Sequence, residues 1–433
     1  MAADPGAELG VDVLIIGGGI MGHYLAQSLV PTYTVCLLSD PTIRVETTES
    51  EGYLSAGYEG NDANRIQPAR RAAGYWKLWA ESNAIANDYA PTYFLVPPED
   101  EIARTRLWTD AALAYHREDR PPAVFEGGAA GSHLPYVTEN DVIINPAHIL
   151  NKLREGIEHC CLEGEVVKFI MASDQGIDYV EVDVRGELIP IVPRYTVLAA
   201  SGGNAGLLSK VAVRTRDAEK RKERVETAKA CQAVRKKYLL TARGADLPLV
   251  AGHVDGLEIT AHPLTGTDEH IWLVSPPIDD SLTTLGQEDL RFEVPVDPKV
   301  VAVTVEKLFA LSPEVERIAH RLQWGVYVRR KTEHPMMAVR DTSSVGQPAP
   351  AKIETLGIDG FMALWPSHLS YSMIVGDVAS ERIGEYLGAP GDFGDDLSVA
   401  DLAADLEPFR SRWDRDDFPW HDWDAFAKSH DIT

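Results

Sequence analysis

VDVLIIGGGIMGHYLAQSLV, residues 11–30, decides the fold of this chain. An apolar run from Val11 to Ile16 is followed by three glycines and then by Met21, Leu25 and Leu29 at helical spacing, which predicts strand, tight turn and helix. A second apolar run, Tyr33 to Leu38, ends at Ser39-Asp40-Pro41 and closes a βαβ unit of about thirty residues. Gly17, Gly19 and Gly22 form G-x-G-x-x-G in the context that gives the pattern meaning. The first glycine permits the turn, the second lets the backbone approach a pyrophosphate, and the third lets helix and strand pack closely. Ile20 and Met21 open the helix, whose free N–H groups and partial positive charge suit phosphate. Asp40, 23 residues beyond Gly17, is placed to accept hydrogen bonds from ribose hydroxyls. A bound dinucleotide follows, NAD or FAD.

The composition narrows the class. The chain has 433 residues, 45% hydrophobic and 25% charged, as in a folded enzyme of one or two domains. Its net charge of -25 repels nucleic acid and anionic lipid, so neither is expected as a partner. Cys36, Cys160, Cys161 and Cys231 make no disulfide framework and match no zinc spacing, so no metal is expected. No secretory leader and no apolar run of membrane-spanning length is present, which reads as cytoplasmic.

Residues 46–67, rich in Gly, Ser, Asn and Asp, read as a long loop, followed by a helix over 69–87. Residues 92–144 read as strands and Pro-rich turns. A helix over 146–155 precedes strands at 166–171, 179–184 and 196–200. RTRDAEKRKERVETAKACQAVRKK, residues 214–237, reads as a solvated surface helix, with a basic docking patch as the sharper reading. Strands at 258–260 and 271–274 and a helix over 298–310 come next. The tail from Gly388 carries twelve acidic and four basic residues, with Trp413, Trp420 and Trp423 close together, and is expected to pack on the body of the protein or on a partner subunit.

The opening stretch resembles the start of the D-amino-acid oxidase and glycine oxidase superfamily of FAD-dependent oxidoreductases. Further stretches match that superfamily in order. Ser55-Ala56-Gly57 is similar to its second flavin-contacting loop. GEVVKFI, with Val167 and Ile170, resembles the strand whose valine backbone meets adenine, and INPAHIL, with Asn145 and Pro146, resembles the helix before it. TVLAASGGNAGLL, with Ala200, Ser201, Gly202 and Gly203, resembles the turn that returns to the cofactor. WGVYVRRKTEHP, with Arg329, Thr332 and Pro335, resembles the segment beside the substrate, and residues 356–387 resemble the closing strand and helix that face the flavin. The likeness spans roughly residues 10–388. It departs at Trp365 to Tyr371, where a glycine-rich turn is replaced by a run without glycine, and at Asp40, where glutamate is more usual.

The resemblance implies an α/β fold: a Rossmann-like FAD-binding domain (10–90, 145–225, 325–388), a discontinuous α+β substrate domain on a mixed sheet (91–144, 226–324), and an acidic C-terminal extension (389–433). It implies FAD, held without a covalent bond because no cysteine lies beyond Cys231. It also implies hydride transfer from a C–N bond of an amino acid or amine, with O2 as acceptor. Arg329 is the preferred substrate-carboxylate anchor, since a guanidinium fork pairs with a carboxylate; Arg330 and Lys331 are alternatives. Arg65, His368 and Tyr371 complete the candidate catalytic set, with Tyr58 and Tyr327 as aromatic walls and Trp324 as packing. Pro366, Ser367, His368, Leu369 and Ser370 are expected against the flavin, with Pro366 opening a helix. The competing readings are a flavin-dependent hydroxylase or dehydrogenase of a specialised metabolite, for which Gly376-Asp377 is a weak motif, and a non-catalytic FAD-binding scaffold. A homo-oligomer stays open.

Overall fold

The strand Leu9–Ile16 lies inside an eight-stranded sheet and is buried on both faces, which is why its sequence is an almost unbroken apolar run. The computed structural model describes residues 8–85, 91–231, 233–264, 266–276, 284–285, 293–333, 351–366, 369–393, 397–403 and 406–432. Six strands run in the order Ala351–Glu354, Phe361–Pro366, Glu187–Leu198, Leu9–Ile16, Val35–Ser39, Cys161–Glu163, parallel except for the first pair, and Gly176–Val184 joins Glu187–Leu198 and Glu165–Ser173 antiparallel. Val13 and Ile15 point to one face, where the helices Ile20–Leu29 and Ser372–Leu387 pack through Met21, Leu25, Val375 and Ile383. Leu14 and Ile16 point to the other, against Leu208 and Val211 of the helix Asn204–Ala212. The one charge in this strand, Asp12, is fully buried; Arg194 reaches it at 2.8 Å, and the amides of Thr34 and Gly391 donate to it. A buried carboxylate is tolerated only with such partners.

The second sheet has nine strands. Its order is Thr284–Leu285, Ala233–Gly244, His270–Ser275, Leu257–Pro263, Ala251–Val254, Thr92–Val96, Leu134–Thr138, Tyr115–Arg117, with Gln323–Glu333 also pairing antiparallel to Ala233–Gly244. Ala251–Val254 and Thr92–Val96 are parallel, so the sheet is mixed, as expected. The helix Pro298–Leu311 covers one face, placing Val301, Val305 and Leu308 among Leu240, Trp272 and Val274.

Several elements differ from the sequence reading. Residues 46–67 are not one loop: they hold a single-turn helix, Glu46–Glu49, and a short strand, Tyr53–Leu54. The next helix runs Ala63–Ser82 and holds Pro68 as its sixth residue, where the missing N–H forgoes one hydrogen bond of the helix. A helix at Glu101–Asp110 interrupts the strands read at 92–144. The basic segment divides into a helix, Ala218–Ala230, and a strand that carries Lys236 and Lys237 into the second sheet. Arg224 in that helix is buried, donating to the carbonyls of Leu356, Asp174 and Gly357 and to Thr215 Oγ1. The strand Gln323–Glu333, read as the start of the third flavin segment, belongs to the second sheet.

The C-terminal segment packs on the body, as its tryptophans suggested. Trp413 and Phe426 are buried, and Trp324 and His421 exchange backbone hydrogen bonds of 2.8 Å. Gly376-Asp377 lies within the helix Ser372–Leu387, where Asp377 accepts a hydrogen bond from Tyr24 at 2.8 Å, a structural task. Among the described residues no helix is long and apolar enough to cross a membrane and no cluster could hold a metal ion; the four cysteines are free and buried.

Candidate active site

The glycine turn is built for close approach. Gly17 has φ +135°, and a Cβ there would lie 2.4 Å from the carbonyl carbon of Ala199; one on Gly22 would lie 1.9 Å from Gly17 O. Side chains at either position would push the helix off the strand. The helix Ile20–Leu29 begins at Gly19 with no side-chain cap of its own and no acidic residue in its first turn. Thr47, from across the crevice, accepts the Ile20 amide at 3.2 Å. An N-terminus without negative charge is what a phosphate requires. Asp40 stands at the end of the second strand, its Oδ1 oriented by the amide and hydroxyl of Thr42 at 2.8 and 2.7 Å.

From Glu46 to Glu51 the chain runs beside the strand Gln323–Glu333 of the second sheet. Tyr327 donates its hydroxyl to Glu49 O at 3.1 Å, and Glu46 accepts the Thr332 amide at 3.1 Å. Between these contacts Arg329 Nη2 meets the carboxylate of Glu51 at 3.0 Å. Lys237, directly opposite Arg329 in the ladder, donates to Glu51 at 2.6 Å and to Glu258 at 2.7 Å. His262 Nε2 lies 2.8 Å from Glu51 O, so it donates to that carbonyl. Burial alone would raise the pKa of Glu51, but Arg329 and Lys237 outweigh it and hold the carboxyl below its usual range. The same strand packs against Ser201–Gly203 and Phe361–Pro366.

The family model described as FAD-dependent oxidoreductase (DAO) matches residues 12–345. The chain belongs to the DAO family. No curated protein matches it. Among solved structures, an FAD-dependent oxidoreductase from Pseudomonas aeruginosa is 18% identical with a TM-score of 0.65, covering 93% of this chain and 98% of that one. Glycine oxidase from Geobacillus kaustophilus is 14% identical, TM-score 0.61, covering 92% and 100%. Iminodiacetate oxidase from Chelativorans sp. BNC1 is 12% identical, TM-score 0.61, covering 88% and 97%. At these identities the likeness is one of fold.

FAD is the cofactor of this DAO-family protein. The turn at Gly17–Gly22, which side chains would obstruct, and the uncharged helix start fit its pyrophosphate, and the oriented carboxylate of Asp40 fits its ribose.

The other anticipated residues fall as follows. Ser55, Ala56 and Gly57 form a loop pinned by Asp141, which accepts the Ala56 amide at 2.7 Å and the Tyr53 hydroxyl at 2.6 Å. Val167 lies on the strand Glu165–Ser173 and is 41% exposed. Ala200 donates its amide to Asn204 Oδ1 at 2.8 Å, and Asn204 Nδ2 donates to Leu364 O at 2.9 Å, which ties the turn at Ser201 and Gly202 to the closing strand. Pro366 ends the strand Phe361–Pro366 rather than opening a helix. Ser367, His368 and Pro335 lie outside the described residues, as do the side chains of Arg65 and Pro366. Leu369 is half-buried near Ile20, and Ser370 accepts Trp76 Nε1 through its carbonyl at 2.9 Å. Tyr371 packs in the cluster of Met21 and Val375, and burial pushes its phenol up to about 12. Tyr58 is a wall residue of another kind, buried against Trp108. Trp324 packs, as expected.

Sequence reading missed Glu51, Lys237, Thr47 and Asn204. Glu51 ends the acidic run Glu46, Glu49, Glu51, which is unusual in a loop of small residues; Lys237 gives only the signal of a cation at the edge of the apolar run Tyr238-Leu239-Leu240.

Proposed function

We propose that this DAO-family protein oxidises a C–N bond of a small amine or amino acid, with O2 as electron acceptor. The observation that carries the reading is that a strand of the second sheet, bearing Arg329, lies against Glu46–Glu49, Ser201–Gly203 and Phe361–Pro366, segments that neighbour or belong to the expected flavin contacts. The names of the glycine and iminodiacetate oxidases support C–N chemistry on the same fold. The four free buried cysteines support a cytoplasmic setting.

When bound, FAD would supply the redox chemistry, acting as the two-electron acceptor for oxidation of the C–N bond. The residues of this chain bind and orient. Gly17, Gly19, Ile20, Met21 and Gly22 hold the phosphates, Asp40 the ribose, and Val167 the adenine. Ser55–Gly57, Ala200–Gly202 and Pro366–Ser370 line the flavin. Tyr371, protonated at neutral pH, serves as a hydrogen-bond donor rather than a base. Arg65 and His368 complete the substrate surroundings.

The test is anaerobic: purified holoprotein is mixed with a panel of amino acids, N-alkylated amino acids and amines, and the visible flavin band is followed. Bleaching by at least one of them, with peroxide released on admitting air, is expected. A flavin that no member of the panel bleaches would sink the reading.

A further inference from the structure

The guanidinium expected to anchor a substrate carboxylate already holds one. Arg329 Nη2 lies 3.2 Å from Glu51 Oε1 and 3.0 Å from Oε2, and Lys237 Nζ takes Oε1 at 2.6 Å. The four charged side chains, Glu51, Glu258, Lys237 and Arg329, sum to zero, and none is more than 22% exposed. Lys237 has no spare role as an anchor, because Glu51 and Glu258 flank it. The backbone that carries Glu51 is anchored: its carbonyl is held by His262, and Tyr327 and Thr332 fix the preceding turn at Glu49 and Glu46.

A substrate carboxylate brought to Arg329 would enter a neutral, water-poor cluster as a surplus negative charge beside Glu51. Like charges at such distances in a low-dielectric site are strongly unfavourable. Displacing Glu51 instead would leave a buried carboxylate with Lys237 alone, shared with Glu258, a costly loss of one partner of a buried ion pair. The donor of Arg329 that has no hydrogen-bond partner among the described residues is Nε. It can serve an acceptor oxygen, but a carboxylate placed there would sit beside Glu51 on the same guanidinium.

We propose that Glu51 occupies, from within the chain, the place of a substrate carboxylate on Arg329, so that the substrate is an amine with no carboxylate on the carbon to be oxidised. Glu51 is then the residue that sets specificity. The assignment rests on the amine-oxidising reading above and narrows it.

The experiment uses holoprotein and two kinds of probe. Acetate and benzoate are titrated while the flavin spectrum is recorded. Matched pairs, glycine with methylamine and phenylalanine with 2-phenylethylamine, are compared for anaerobic bleaching. The wild type is expected to show no spectral response to the carboxylates and to favour the carboxylate-free member of each pair. Glu51→Gln, which frees the fork, is expected to respond to benzoate and to shift the kcat/KM ratio by about tenfold or more toward the amino acid. A wild-type response to benzoate that disappears in Arg329→Gln overturns the proposal, as does a folded, flavin-loaded Glu51→Gln protein still silent to benzoate. If Glu51→Gln does not fold, the wild type and Arg329→Gln decide. Failure of every amine to bleach the flavin counts against the oxidase reading, while the carboxylate titration still reports on Glu51.

Discussion

Trp413 stacks on His262, with ring centroids 5.2 Å apart and planes 22° from parallel. Since His262 in turn donates to the carbonyl of Glu51, the C-terminal segment holds the crevice loop through one intermediary. It holds the same loop a second time through Arg415, which donates to Thr48 Oγ1 at 2.9 Å. Removing the indole is expected to loosen the whole segment. Trp413→Ala should lose about 3 kcal/mol of stability, by the cost of emptying a large aromatic site, and expose residues after 406 to limited proteolysis. Trp413→Phe should lose less. An unchanged melting temperature and cleavage pattern in Trp413→Ala would refute the link.

Gly22 tests the cofactor turn. An alanine there places a methyl 1.9 Å from Gly17 O, a backbone atom that cannot give way without shifting the strand. Gly22→Ala is expected to purify with little flavin, read as the ratio of visible to protein absorbance. Gly74→Ala, where an added methyl meets nothing within 4 Å, should retain its flavin and serves as the control.

The nucleotide end was legible because its signals are local: Val11 to Leu38 contains strand, turn, helix and acid in one continuous stretch, each dictated by residues nearby. The substrate end was not. Arg329 was found by resemblance, but its pairing with Glu51 joins residues 278 positions apart, and no periodicity encodes that. Arg224 misled for a related reason: in a run of charges it reads as solvated, yet the carbonyls that bury it come from 174 and 356–357, turns whose position depends on the completed sheet. The start of the helix at Ala63 was missed because the polar stretch before residue 69 carries no apolar spacing.

Arg224 therefore makes a sharp stability test. Its loss leaves the buried carbonyl of Leu356, the buried Thr215 hydroxyl and two part-buried carbonyls without their donor. Arg224→Ala is expected to cost about 3 kcal/mol or more, since unsatisfied buried polar groups cost about 1–3 kcal/mol each and the site partly relaxes. Arg224→Lys should recover only a fraction, as one ammonium cannot reach the same spread of acceptors. Chemical denaturation with both variants measures it, and equal midpoints for wild type and Arg224→Ala would contradict the account.

Asp141 predicts a pH dependence. Burial pushes its carboxyl up to about 6, against the hydrogen bonds of Tyr53 and Ala56, which lower it. A carboxyl raised in the folded state binds its proton more tightly there than in the unfolded chain, so stability rises as pH falls from about 7 toward 5. The gain is on the order of 1 kcal/mol. Asp141→Asn should abolish that increment. Glu51, with its carboxyl held low, acts in the opposite sense: its contribution is present above the unfolded value and is lost as pH falls below it. Urea midpoints for wild type and Asp141→Asn at the two pH values settle it; parallel curves would exclude the assignment.

The segment that carries Trp413 and Arg415 follows every element it covers in chain order. During vectorial synthesis on the ribosome the earlier parts fold first. The turn from Glu46 to Glu51 is therefore made long before the stretch that braces it through His262 and Thr48.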